Sequence, residues 1–328
     1  MVPFAFVFPG QGSQSVGMLS TWGDHPEVRR TLDEAGRVLD TDIAALIARG
    51  PKEALDLTSN TQPVMLTAGV ACYRAWVAET GARPMAVAGH SLGEYTALVA
   101  AGVLSLADAL PLVRFRAEAM QEAVPVGAGA MAAILGLEAS EVQRLCAQVE
   151  AETGEVVAAA NFNDPKQTVI AGHRRAVDQA CELMKANGAK RALPLAVSAP
   201  FHCRLMKPAA ERLAPRLAAT SLASPSIPVV NNVDVAAPDA PEAIRDALVR
   251  QAAAPVRWVE TMQAMHAAGV THVFECGPGK VLSGLVKRCV DAMSGAAMND
   301  LAAVEAALAA VSHAGDTVPG TAGNIKGA

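Results

Sequence analysis

Between Gly129 and Ser198 the chain alternates between two rhythms of apolar and polar positions. AMAAILGL, EVVAAANF, QTVIAG and RALPLAVS are short, mostly apolar runs and are predicted strands. ASEVQRLCAQVEAE and RRAVDQACELMKANG repeat their apolar residues at spacings of three and four, and are predicted helices, the second closed by Gly188. Asn163-Asp164-Pro165 is the predicted turn between the second and third strands. The order β-α-β-β-α-β is that of a split βαβ, or ferredoxin-like, unit.

The flanking sequence follows a different plan. Phe4–Phe8 and Met85–Gly89 are apolar at nearly every position, and helical stretches separate them. After the central unit come IPVVNNV as a strand, helices near Pro241–Gln251 and Val256–Ala268, the strand THVFEC and a helix from Lys280. Strands without polar alternation, interleaved with helices, belong to a parallel sheet covered on both faces. The expected architecture is an α/β fold with a mostly parallel sheet, built from 1–126 and 198–312, with 127–197 as a small inserted domain. The aperiodic, Gly- and Thr-rich end, 313–328, is expected to be a flexible tail.

Composition narrows the function. The 328 residues are 52% hydrophobic but only 4% aromatic, so the core must be built from Ala, Val, Leu and Met. A net charge of -5, without any dense Lys/Arg block, argues against nucleic acid as a partner. The uncharged stretch Tyr95–Ala107 is shorter than the roughly 20 residues a membrane span needs. MVPFAFVFPGQ has no basic residue before Arg29, so it reads as a buried strand and not as a secretory signal. Six cysteines without C-x-x-C spacing indicate neither a zinc site nor a disulfide framework, and reduced thiols fit a cytoplasmic protein.

The chemistry begins at Gly89-His90-Ser91-Leu92-Gly93. It matches G-x-S-x-G, the sharp strand-to-helix turn that exposes a serine hydroxyl, and it has a strand before it and the helix Glu94–Ala101 after it. Ser91 then sits at the positive end of a helix and needs a base. His202 is the candidate: SAPFHC follows the last strand of the insert, where the chain re-enters the main fold, and Pro200 favours a loop there. His90 should point away from the serine, while His25, His173, His266, His272 and His313 read as surface residues. Cys203 has no visible partner to activate it as a nucleophile.

Two further features stay open on residue pattern alone. The loop Gly10-Gln11-Gly12-Ser13-Gln14-Ser15-Val16-Gly17 fails the P-loop pattern, because Met18-Leu19 stands where Lys-Ser/Thr is needed. It fails the dinucleotide pattern at Ser15. At a strand's carboxyl end it can instead bring a backbone N–H toward the serine. Arg114 and Arg116 flank the apolar stripe Val113, Ala117, Met120 and Val124, and periodicity does not choose which of them could clamp a carboxylate.

FPGQGSQ, GHSLGEYTAL, RFRAEAMQEAVP, NFNDPKQTVIAG, SAPFH, PVVNNV and FECGPGKVL, in this order from about Phe4 to about Leu308, closely resemble the malonyl-CoA:acyl carrier protein transacylases. The resemblance implies an α/β-hydrolase-like domain carrying a ferredoxin-like insert, and malonyl transfer in a ping-pong cycle. It implies Ser91 as nucleophile, His202 as base, and the backbone N–H groups of Gln11 and Leu92 as oxyanion hole. Arg116, and not Arg114, matches the arginine that grips the malonyl carboxylate. Gln251 matches a glutamine lining the site, and Asn161 lies in a matching block. In this family a backbone carbonyl or amide group orients the histidine, so no acidic partner need be sought. Phe201 before the histidine goes with malonyl rather than methylmalonyl.

The implied partners are malonyl-CoA, as a coenzyme A thioester substrate, and a holo acyl carrier protein. No bound cofactor or metal is implied. Docking an acidic carrier on an acidic chain needs a local basic patch, for which Arg174, Arg175, Lys185, Lys190 and Arg191 are candidates. The competing readings are a serine thioesterase or esterase, which would use Ser91 and His202 but not need Arg116, and an inactive carrier-docking module. Fatty acid and polyketide roles are not separable from the residues, since the chemistry is the same.

Overall fold

The computed structural model describes residues 2–312; the tail predicted over 313–328, with His313, lies outside the described residues. Among the described residues nine strands form two sheets: β1 (Phe4–Phe8), β2 (Ala86–Gly89), β3 (Gly129–Leu135), β4 (Val157–Asp164), β5 (Gln167–His173), β6 (Arg191–Pro194), β7 (Val229–Val230), β8 (His272–Cys276) and β9 (Ser294–Met298). The larger sheet has the order β7-β2-β1-β8-β9, with every neighbouring pair parallel. This is the expected α/β fold with a parallel sheet.

Strand β1 explains how the larger sheet is covered. Its side chains alternate between faces, so Phe4, Phe6 and Phe8 pack on one side with Trp76 of the Thr58–Thr80 helix and Phe274. Ala5 and Val7 point to the other side, against Trp258, Met262 and Leu285 from the Trp258–Ala267 and Val281–Cys289 helices. Both faces are buried, and the strand is therefore apolar throughout.

The smaller sheet is antiparallel, in the order β4-β5-β3-β6. Alternation again separates two cores. Ala132, Ile134 and Ile170 pack under the Ala139–Thr153 and Arg174–Ala186 helices. Met131, Val169 and Ala171 face Met120, Phe201 and Met206 of the larger unit. The functional cleft opens beside this second contact.

Three sequence expectations shift. The β4–β5 turn is Pro165-Lys166, one pair later than expected, because strand pairing continues to Asp164 opposite Gln167. Strand β6 ends at Pro194, not at Ser198: Leu195 still donates to the Met131 carbonyl, but Val197 donates back to Leu195, and the chain leaves the sheet toward the cleft. His25, expected at the surface, is buried at the start of the Pro26–Leu39 helix. Its Nδ1 accepts the Glu27 N–H, and its Nε2 lies 3.1 Å from Glu79. Among the described residues no helix is long and apolar enough to cross a membrane.

Candidate active site

The turn between β2 and the Gly93–Ala100 helix is as sharp as its sequence suggests. Ser91 adopts φ 53°, the left-handed region that a non-glycine residue occupies only when its surroundings force it. The two glycines are needed for space and not for that angle. A Cβ on Gly89 would lie 1.8 Å from the Gly93 carbonyl carbon, and one on Gly93 would lie 2.0 Å from the Phe8 carbonyl oxygen. The turn, its helix and β1 are in backbone contact. Asn232, just after β7, clips the turn from outside: its Oδ1 accepts the Ser91 N–H at 2.8 Å and its Nδ2 donates to the Gly89 carbonyl at 2.8 Å.

His202 lies in the loop after β6, also at positive φ (59°) and buried. Its Nε2 is 2.6 Å from Ser91 Oγ. Its Nδ1 is 3.0 Å from the Gln251 carbonyl and 3.2 Å from the Ala254 carbonyl. A carbonyl can only accept, so Nδ1 carries the proton and Nε2 is left free to accept from the serine hydroxyl. Burial first, and then the positive field of Arg116 and the neighbouring His90, pull the imidazole down to about 3. The imidazole is neutral.

Arg116, from the Leu106–Glu122 helix, is only 1% exposed. Its Nη1 donates to Gln62 Oε1 at 2.9 Å, and its Nη2 to Gln251 Oε1 at 2.9 Å and to Ser91 Oγ at 3.2 Å. The guanidinium lies 5.4 Å from the Tyr95 ring, and its Nε has no hydrogen-bond partner. Arg114 instead turns toward the Leu39 carbonyl and Thr41. The geometry therefore selects Arg116 where periodicity could not.

These groups converge on a cleft lined among others by Gln11, Leu92, Phe201 and Asn161. The backbone of the glycine loop presses on the turn: a Cβ on Gly10 would lie 2.6 Å from the His90 carbonyl. Gln11, next to that contact, and Leu92, in the turn, both line the cleft with Ser91. Asn161 carries a buried Oδ1 without a partner, and the cleft widens past it toward Asn163, Gln167 and Val281.

Other candidates are placed elsewhere. His90 points away from Ser91, with Nε2 2.9 Å from Asn163 Oδ1. Cys203 is buried, its thiol pushed up to about 11 by burial, and its Sγ faces the Pro200 carbonyl. Arg174 is tied to the carbonyls of Gly127 and Gly129, and Lys185 is paired with Glu182. Among the described residues no group of His, Cys, Asp and Glu could hold a metal ion. Sequence reasoning missed Asn232, Gln62 and Glu94. Asn232 stands in the block PVVNNV and Glu94 directly follows the turn, so their positions were visible and their contacts were not.

A cleft of this composition, with a serine on a strained turn, a neutral histidine and a buried arginine, suits transfer of an acyl group that bears an anion. The acyl transferase domain family matches residues 5–315. The malonyl CoA-acyl carrier protein transacylase of Escherichia coli strain K12 is 54% identical over 309 residues, spanning 94% of this chain and 99% of that protein. The Bacillus subtilis transacylase of the same name is 45% identical over 317 residues, spanning 96% and 99%. The crystal structure of an acyl-carrier-protein S-malonyltransferase from Burkholderia pseudomallei is 60% identical, with a TM-score of 0.92 and coverage of 94% of this chain and 100% of that one. A malonyl-transacylase in complex with a type II polyketide acyl carrier protein is 51% identical, with a TM-score of 0.92 and coverage of 94% and 99%. This chain belongs to the acyl transferase family and, within it, to the malonyl-CoA:acyl carrier protein transacylases.

Proposed function

We propose that this acyltransferase moves the malonyl group of malonyl-CoA to the phosphopantetheine thiol of an acyl carrier protein, through a malonyl ester on Ser91. The observation that carries this reading is the buried Arg116 Nη2 held 3.2 Å from Ser91 Oγ. A guanidinium at that depth has a use when the acyl group brings its own carboxylate.

In the first half-reaction Ser91 Oγ gives its proton to His202 Nε2 and attacks the thioester carbonyl. The negative charge that develops on the carbonyl oxygen is met by the N–H groups of Gln11 and Leu92. The carbon–sulfur bond breaks, and the departing thiolate takes the proton from His202. In the second half-reaction His202 accepts the carrier thiol's proton, the thiolate attacks the malonyl ester, and the proton returns to Ser91 Oγ. Arg116 holds the malonyl carboxylate throughout, with Gln251 fixing one of its amino groups. Phe201 narrows the cleft beside His202, which favours an unsubstituted malonyl group, and Asn161 borders the entering thioester.

The sheet order β4-β5-β3-β6, with both helices on one face, supports reading 127–197 as an inserted ferredoxin-like domain. Residues 1–126 and 198–312 form the α/β-hydrolase-like catalytic domain in this reading. The six cysteines are free and buried, which suits a cytoplasmic enzyme. Arg175, Lys190 and Arg191 on the insert are our candidates for the surface that meets the carrier protein.

Intact-protein mass after brief mixing with malonyl-CoA tests the whole scheme. The expected result is one malonyl adduct that vanishes in Ser91→Ala and discharges onto added holo carrier protein. Hydrolysis of malonyl-CoA with no transfer to the carrier would instead make the chain a thioesterase.

A further inference from the structure

The scheme above leaves a buried acid close to Ser91 without a task. Glu94 lies in the first turn of the helix that follows Ser91 and is 2% exposed. Its Oε2 accepts two hydrogen bonds, from the Asn232 backbone N–H at 2.9 Å and from Gln251 Nε2 at 3.0 Å. Each partner reaches straight into the site. Asn232 grips the turn on both sides of His90, at the Gly89 carbonyl and at the Ser91 N–H. Gln251 donates to the Ser91 carbonyl at 3.0 Å, accepts from Arg116 through its side chain, and accepts from His202 through its backbone. One carboxylate oxygen therefore joins the two residues that between them touch the nucleophile, the base and the guanidinium.

Glu94 also borders a small cavity with Asn231, Leu98 and Ile244, and the buried Nδ2 of Asn231 has no hydrogen-bond partner among the described residues. Burial is costly for this acid and pushes its carboxyl up to about 7. An apolar side chain would avoid that cost but would leave two buried N–H donors, on Asn232 and Gln251, without an acceptor.

Resting on the transacylase reading, we propose that Glu94 is a positioning residue for malonyl transfer: by bridging Asn232 and Gln251 it holds Ser91, His202 and Arg116 in mutual register. The feature that matters is an acceptor oxygen at the reach of a glutamate. Glutamine supplies that oxygen without the charge, because its amide oxygen can take both N–H groups. Aspartate supplies the charge without the reach, being one methylene shorter.

The test is time-resolved intact mass during single malonylation by malonyl-CoA, with wild type, Glu94→Gln and Glu94→Asp compared. It reads two quantities: the amplitude, which counts folded active sites, and the rate constant, which reports their geometry. The rate constant of Glu94→Gln should stay within about 3-fold of wild type, while that of Glu94→Asp should fall on the order of 10²-fold at similar amplitude. An aspartate variant as fast as the glutamine variant overturns the proposal. So does a loss confined to amplitude, since a purely structural residue would lower only the number of active sites. If Glu94→Asp does not fold, Glu94→Gln decides alone, and a 10²-fold slower rate there would assign the effect to charge instead. A wild-type chain that takes no malonyl group fails the transacylase reading itself, and this proposal falls with it.

Discussion

The Nδ1–H of His202 donates to the backbone carbonyl of Gln251, 3.0 Å away, and not to a carboxylate. A carbonyl fixes the tautomer and the ring plane as an aspartate would, but it brings no negative charge to stabilise an imidazolium. The same residue's side chain holds Arg116, so the imidazole and the guanidinium are referenced to one position in the chain. In the proposed scheme a modest base suffices, because a thioester is more activated than an amide.

The pH profile of Ser91 malonylation should reflect this. Burial, and then Arg116, draw His202 down to about 3, so the neutral form persists well below the ordinary histidine range. The rate constant should show no acid limb near pH 6.5, the unperturbed value of histidine. A sharp fall between pH 7 and 6 with wild type, absent from a pH-insensitive control reaction, would contradict the neutral-base assignment.

Substitution of Arg116 should change specificity more than stability. Arg116→Ala removes the two-pronged donor and should lower kcat/KM for malonyl-CoA by about 10³-fold, while acetyl transfer changes far less. Arg116→Lys keeps a charge but loses the planar fork, and should fall between the two. Parallel acylation with malonyl-CoA and acetyl-CoA measures the ratio directly.

The glycines of the turn and of the Gly10–Gly17 loop should separate into those that need space and those that need only backbone freedom. Gly89→Ala and Gly93→Ala place a Cβ 1.8 and 2.0 Å from backbone atoms. Each should cost about 4 kcal/mol or more, or prevent folding, because the obstacle is main chain and cannot rotate away. Gly12→Ala meets nothing within 4 Å at φ 105° and should cost only about 1–2 kcal/mol of backbone strain. Denaturant melts of the three variants test the ranking.

Removing the charge of Glu94 should stabilise the fold at neutral and alkaline pH. Its carboxyl rises from the usual 4.5 to about 7, with burial as the main cause and Asp234 adding to it against the opposing pull of Gln251, Asn232 and Arg116. The folded chain therefore binds this proton more tightly than the unfolded chain does. The associated stability is full below about pH 4.5 and is lost as pH rises through about 7. Glu94→Gln should match wild type in melting temperature at pH 5 and exceed it at pH 8, by an amount no larger than about 3 kcal/mol. A constant difference across that range would mean the carboxyl titrates normally.

The sequence alone determined the features that depend on near neighbours. Short apolar runs in β1 and in β3 to β6, the helical spacing between them, and a serine between glycines at a strand's end are all local patterns, and the larger sheet and the turn follow from them. Strand β9 and the helix Leu301–Ser312 escaped notice because SGAAM and LAAVEAALAAVS are built largely from small residues with weak patterning. Tertiary structure alone decided which of two arginines two residues apart enters the cleft, and which carbonyls hold His202. It also decided that Glu94, adjacent in sequence to the turn, is bound by residues 138 and 157 positions away. Residue type sets what a group can donate or accept, but when partners lie that far apart along the chain, only the folded backbone sets which of them come within 3 Å.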